Sequence, residues 1–316
     1  MHLDQPAKTL LTDDAPRGFP WSSWLQAARL PSQLYIFWPL LLGQAMAFQQ
    51  GAPMNWAVLL LCHAYGLLIQ LFIVFANDVA DVETDRANTT YTIFSGGSRV
   101  LVRGLLPGRH LALAAGACAL LALLTGLVLQ FISGTWLPLL LIIAGLGLLW
   151  AYSFPPFRLS YRGGGELLQM LGVGLVLPLI GYSAQSGSMS GFGWAFLVPV
   201  LLFSLTCAMS TALPDEPSDR KSRKRSSAVL LGTRTSQWSI LVINAAVLCF
   251  LLMAPLSGTT FTERALISGL GTAIWLTSLA FLGSRPGSRA VTIFVALQVS
   301  LFLVGLIGLT MVLLTS

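Results

Sequence analysis

Charge is what this sequence has least of. Of its 316 residues, eighteen are Lys or Arg and twelve are Asp or Glu, 9% in all, where an ordinary soluble domain carries about a quarter. With 55% hydrophobic residues and a mean hydropathy of +0.77, the chain has too little polar surface to face water, which excludes the soluble enzyme folds. Cysteine is sparse as well. Cys62, Cys118, Cys207 and Cys249 stand singly in apolar runs without C-x-x-C spacing, so neither a thiolate metal site nor a redox pair is expected, and each is read as a small buried hydrophobe. His63 and His110 also stand alone and are read as structural. The first twenty residues hold Asp4, Asp13, Asp14 and three prolines but no apolar core of a signal peptide. Residues 1–30 are therefore expected to form a tail outside the membrane and 31–316 a single transmembrane domain.

What is there in quantity is apolar sequence. A membrane crossing needs about twenty apolar residues, and cutting the chain at charges, prolines and glycines leaves nine candidates, near 31–50, 56–77, 109–131, 135–154, 166–184, 194–213, 236–257, 264–283 and 290–314. The expected fold is an all-α polytopic membrane protein. Nine spans with a cytoplasmic N-terminus put 17 of the 18 basic residues on one side, leaving only Arg264 opposite, as the tendency of Lys and Arg to stay cytoplasmic predicts. The partner that composition demands is membrane lipid, and the expected location is the inner membrane of the cell. Neither nucleic acid nor an obligatory protein partner is indicated.

The acids are concentrated. Seven of the twelve fall in two loops on that same side. At the end of the second span, Asn77, Asp81 and Asp85 follow one another at i, i+4 and i+8, with Asp78 three before Asp81, so that all four share one broad helical face. Carboxylates crowded within two turns repel one another unless a cation lies among them, and hard oxygen donors suit Mg²⁺ with waters and phosphate oxygens completing its shell. Asp215 and Asp219 repeat the theme after the sixth span, which suggests two Mg²⁺ ions clamping one polyanion. The nearby cations Arg29, Arg99, Lys221, Lys224 and Arg225 supply donors for the remaining phosphate oxygens of a diphosphate. Ser95–Ser98 is a flexible stretch able to cover a phosphate. The segment Trp150–Glu166 joins aromatic and basic residues, among them Tyr152, Arg158 and Arg162, where ring faces beside a diphosphate favour an allylic cation.

On these residues the chain resembles the UbiA superfamily of intramembrane prenyltransferases. Asn77–Asp85 is similar to the first aspartate-rich motif of that family and Asp215–Asp219 to the second. Phe94–Leu106, Tyr152–Pro156 with Leu159–Glu166, and Ala228–Gly232 resemble its menaquinone-type branch, which prenylates 1,4-dihydroxy-2-naphthoate. One departure is Arg223-Lys224-Arg225-Ser226, where that branch usually has Gly-Lys-Arg-Thr; it bears on acceptor identity. The resemblance implies nine helices around a central cavity, the motifs facing each other at its cytoplasmic mouth, and the prenyl tail among apolar helices. It implies Mg²⁺ held by Asn77, Asp78, Asp81, Asp85, Asp215 and Asp219. Asp78, Asp81, Asp215 and Tyr152 are expected to act in catalysis, and Arg29, Arg99, Tyr152, Arg158, Arg162, Lys221, Lys224 and Arg225 to bind substrate. The expected reaction ionises a polyprenyl diphosphate to an allylic cation, which the electron-rich ring attacks before losing a proton. Either a first-motif carboxylate or the departing diphosphate deprotonates the acceptor.

Other readings within the superfamily prenylate 4-hydroxybenzoate or a secondary-metabolite ring, or cyclise a terpene without any acceptor. From another class, a secondary transporter also carries intramembrane acids, but near the midplane, whereas these acids gather at one end.

Overall fold

The structure, a computed structural model, describes residues 21–316. Most of the expected tail, with Lys8 and Arg17, lies outside the described residues. Among these, regular structure is helical apart from an isolated bridge between Thr92 and Ser95. In chain order the helices are α1 (Trp21–Ala28), α2 (Leu34–Gln49), α3 (Trp56–Ala80), α4 (Val82–Ala87), α5 (Gly108–Ser133) and α6 (Leu137–Ser153). Next come α7 (Gly165–Leu171) and α8 (Leu177–Ser186), joined through a π-helical turn at Gly172–Val176, then α9 (Leu197–Ala212) and the short α10 (Glu216–Lys221) and α11 (Ser227–Leu231). The chain closes with α12 (Thr233–Met253), α13 (Phe261–Leu279) and α14 (Arg289–Thr315).

Among the described residues, six helices are long and apolar enough to cross a membrane: Trp56–Ala80, Gly108–Ser133, Gly165–Ser186, Trp194–Ala212, Thr233–Met253 and Arg289–Thr315. The protein is thus an integral membrane protein. The other stretches expected as spans are also helical, with α2 at 16 residues, α6 at 17 and α13 at 19. Polar caps start several of them where the apolar runs begin. The Asn55 side chain accepts from the amides of Ala57 and Val58 at 3.1 and 3.3 Å, and Thr260 and Glu263 form a reciprocal capping box for α13.

Helices α2 and α8 both contribute to the two largest core clusters. Leu42 and Met46 pack with Phe203, Phe302 and the interior faces of α9, α12 and α14. Ile36 and Leu40 pack with Tyr65, Ile142 and Ile180 from α3, α6 and α8. Where α2 crosses α8 the backbones touch: a Cβ on Gly43 would lie 2.0 Å from the Pro178 carbonyl oxygen, and one on Gly181 would lie 2.2 Å from that of Leu40. Small residues permit such a crossing in lipid, where association rests on close packing. The expectation of four buried cysteines is corrected. Cys62 and Cys207 are buried, Cys118 is half-buried and Cys249 is exposed. An apolar run in a membrane helix does not say which face it turns inward, because lipid-facing positions are as apolar as the core.

Candidate active site

Two cavities meet at one end of the bundle. The larger, about 530 Å³, is walled by apolar side chains of α2, α3, α6, α7, α9 and α14, among them Tyr35, Ile69, Leu148 and Phe302. The smaller, about 130 Å³, is polar and is lined by Asp81, Asp85, Asp215, Asp219, Glu166 and Lys224. Arg29, Asn77, Gly97 and Tyr152 border both, so the two are one site with an ionic end and an apolar end.

The first motif straddles a helix break. Helix α3 stops at Ala80, Asp81 takes φ −105° and ψ 10°, and α4 follows. The turns stay in register because the amide of Asp81 donates to Asn77 O, and that of Asp85 to Asp81 O, both at 2.8 Å. Asp78, 3% exposed, accepts hydrogen bonds from the Arg29 guanidinium and from the Ser98 hydroxyl and amide. Expected as a metal ligand, Asp78 lines neither cavity, and its oxygens are instead taken up in holding Arg29 and Ser98. Asp81 accepts from Tyr161 Oη at 2.8 Å and from Lys224 Nζ at 3.0 Å. In the second motif Asp215 accepts from Asn88 Nδ2 at 2.7 Å and from the Gly96 amide at 3.1 Å, and Asp219 sits one turn on in α10. The 88–98 loop therefore ties the motifs together, helped by Thr90 Oγ1 donating to Pro214 O at 2.6 Å.

The electrostatics follow from burial. Burial first, then the neighbouring Asp81 and Asp78, pushes the Asp85 carboxyl up to about 7. Asp219 is pushed up to about 7 by burial, against the pull of Lys224. Asp215 is raised by burial, offset by Asn88, Ser95 and Lys224. Burial opposes the charge of Lys224, yet Asp81, Tyr152 and Asp219 together push its ammonium well above the ordinary value, so it stays a cation.

No three His, Cys, Asp or Glu side chains among the described residues are arranged to hold a metal ion by themselves. The six expected ligands are therefore not a ready-made cage. The donor set nevertheless fits Mg²⁺, which is commonly held by one or two carboxylates with waters and substrate phosphates. Asn77 Oδ1 is buried without a hydrogen-bond partner. Asp85 is a buried carboxylate facing Gly97, where an added Cβ would lie 2.0 Å from Asp85 Oδ2.

Of the eight residues expected to bind substrate, Arg29, Tyr152 and Lys224 border the cavities. The other five do not. Arg99 donates to the Asp85 carbonyl and lies 4.4 Å over the Tyr91 ring, bracing the loop. Arg158 lies 3.8 Å over the Tyr161 ring, while Arg162, Lys221 and Arg225 are exposed. Sequence reasoning missed four residues as site groups: Tyr161, Asn88, Ser98 and Glu166, which accepts from the Ser227 amide at 2.6 Å. Tyr161 and Glu166 lay in the aromatic-basic segment and Ser98 in the glycine-rich one; Asn88 carried no signal.

The fold has solved counterparts. A UbiA homologue from Archaeoglobus fulgidus, described as bound to DMAPP and Mg²⁺, aligns with a TM-score of 0.66 at 17% identity, covering 91% of this chain and 99% of that one. A UbiA homologue from Aeropyrum pernix aligns with a TM-score of 0.67 at 18% identity over 86% and 96%. These likenesses define the class, a helical membrane protein of the UbiA fold. The chain belongs to the UbiA prenyltransferase family, whose model matches residues 36–306. Among curated proteins it is 29% identical over 243 residues to the 1,4-dihydroxy-2-naphthoate octaprenyltransferase of Mycobacterium tuberculosis, 74% of this chain and 78% of that protein. It is 27% identical over 215 residues to the 2-carboxy-1,4-naphthoquinone phytyltransferase of Synechocystis, 67% of this chain and 66% of that protein.

Proposed function

We propose that the protein transfers a polyprenyl group from its diphosphate to an aromatic acceptor of the 1,4-dihydroxy-2-naphthoate type, a step of quinone biosynthesis. The observation that carries this reading is the union of an ionic pocket of about 130 Å³ with an apolar cavity of about 530 Å³ across Arg29, Asn77, Gly97 and Tyr152. A polyprenyl diphosphate has the same division, a polyanion joined to a long apolar tail. The naphthoate-prenylating relatives support the acceptor class. In this reading α2, α6 and α13 complete nine crossings with the six longer helices, and the ionic pocket faces the cytoplasm of an inner membrane.

The diphosphate lies in the ionic pocket, where Arg29 and Lys224 donate to its oxygens. Asn77, Asp81, Asp85, Asp215 and Asp219 would hold Mg²⁺, two ions in this reading, which when bound offsets the diphosphate charge and stabilises it as a leaving group. The allylic C–O bond breaks and its electron pair leaves with the diphosphate. Tyr152, where the cavities join, offers a ring face to the cation that remains, and the apolar walls keep out water that would trap it. The acceptor ring then forms the new C–C bond, and departure of a proton, or of CO₂ from a carboxylated position, restores aromaticity.

Detergent-purified protein, given a series of polyprenyl diphosphates crossed with naphthoate and benzoate acceptors, should release pyrophosphate only with divalent metal and acceptor. Release is expected to be greatest with the naphthoate. A cyclised hydrocarbon lacking an added ring, or turnover that survives Asp78→Ala combined with Asp215→Ala, would overturn the reading.

A further inference from the structure

Arg29 reaches the site from an unusual backbone conformation. Its φ of 43° and ψ of 54° are left-handed, a state that a residue with a side chain keeps only where its surroundings fix it. The Arg29 carbonyl accepts twice from Ser32, from the amide at 2.8 Å and from the hydroxyl at 2.7 Å. That hydroxyl in turn accepts from Gln70 Nε2 at 2.6 Å. Gln70 is 6% exposed and stands in the wall of the apolar cavity. It precedes Asp78 on α3 by about two helical turns. One face of α3 therefore holds the Arg29 backbone through Gln70 and receives the Arg29 guanidinium through Asp78. On the opposite flank Gln26 Nε2 donates at 2.6 Å to the carbonyl of Ser98, which itself binds Asp78. Arg29 Nε is left buried without a partner.

An amide inside an apolar wall is disfavoured unless it is hydrogen-bonded, and a leucine would line a prenyl cavity as well. We propose that Gln70 and Ser32 are positioning residues: their relay fixes the left-handed turn at Arg29 and so aims its guanidinium at the diphosphate. This inference rests on the diphosphate reading above. The groups act through Arg29, so removing them should be felt in binding of the diphosphate end and not in the chemical step.

The test is kinetic. Ser32→Ala and Gln70→Leu should each raise KM for the polyprenyl diphosphate by roughly five- to tenfold, the range of one lost hydrogen bond to an oriented group, with kcat within about twofold. Ser32→Thr, which keeps the hydroxyl, should restore KM. Neither substitution should add to Arg29→Ala in a double-mutant cycle. Effects that add to Arg29→Ala, or a fall in kcat with KM unmoved, would overturn the relay. If Gln70→Leu does not fold, Ser32→Ala carries the cycle alone. Calorimetry with Mg²⁺ and inorganic pyrophosphate reads the relay apart from turnover: Ser32→Ala should weaken pyrophosphate binding by a similar factor, and unchanged binding counts against the relay. Absence of turnover in the unmutated protein counts against prenyl transfer instead.

Discussion

Gly97 stands between two carboxylates of the first motif, Asp85 and Asp78. Its φ of +71° suits glycine, and an added Cβ would lie 2.0 Å from Asp85 Oδ2 and 3.3 Å from Asp78 Oδ1. Gly97→Ala should therefore abolish pyrophosphate release while the protein still inserts and folds, since the strain falls on the 88–98 loop at the site and not on the packing between the long helices. A variant with more than about a tenth of normal turnover, a barrier change near 1.4 kcal/mol, would show that the loop gives way. Tyr161→Phe removes one of two hydrogen bonds to Asp81, and kcat/KM should fall by roughly fivefold to tenfold, equivalent to about 1 kcal/mol. The carboxylates and Lys224 were legible in the sequence because charge in so apolar a chain is conspicuous. Tyr161 was not, because a tyrosine at a membrane boundary reads equally well as part of an aromatic belt, and only tertiary contact brings its hydroxyl to Asp81.

Among the elements, α1 was the least legible. Eight residues are too few for a stable isolated helix; this one persists because Ala27 is buried and the Trp24 ring meets Phe75 of α3 edge-on at 5.8 Å. The long helices needed only their apolar runs, cut at charges, prolines and glycines, to be read. The crossing of α2 and α8 is different again, since neither Gly43 nor Gly181 announces its partner. Gly43→Ala and Gly181→Ala should each lower stability by about 1–3 kcal/mol, the range for overpacking a tight contact, seen as a lower thermal midpoint in detergent. An unchanged midpoint in both would mean that the backbones do not touch.

For the molecule as a whole, Asp85 and Asp219 couple stability to pH. Each titrates near 7 when folded against an ordinary 3.8, so between about pH 4 and 7 the folded state keeps protons that the unfolded chain has released. Without metal, stability should fall as pH rises through that window and level off above it. Thermal unfolding in a chelator is expected to give a lower midpoint at pH 8 than at pH 5.5. Mg²⁺ binds the ionised carboxylates, and adding it should raise the midpoint more at pH 8. Equal midpoints in chelator at both values would contradict the burial that sets these acids.

The ion pair between Asp81 and Lys224 joins positions 143 residues apart, and the bond from Asn88 to Asp215 spans 127. During synthesis Arg29, the partner of Asp78, emerges ahead of the first motif, whereas Lys224, the partner of Asp81, follows it by 143 residues. A fragment that ends before Asp215 therefore keeps the pairing of Arg29 with Asp78 but lacks the Lys224 partner of Asp81. The ionic pocket is thus complete only once segments from both halves of the chain have come together.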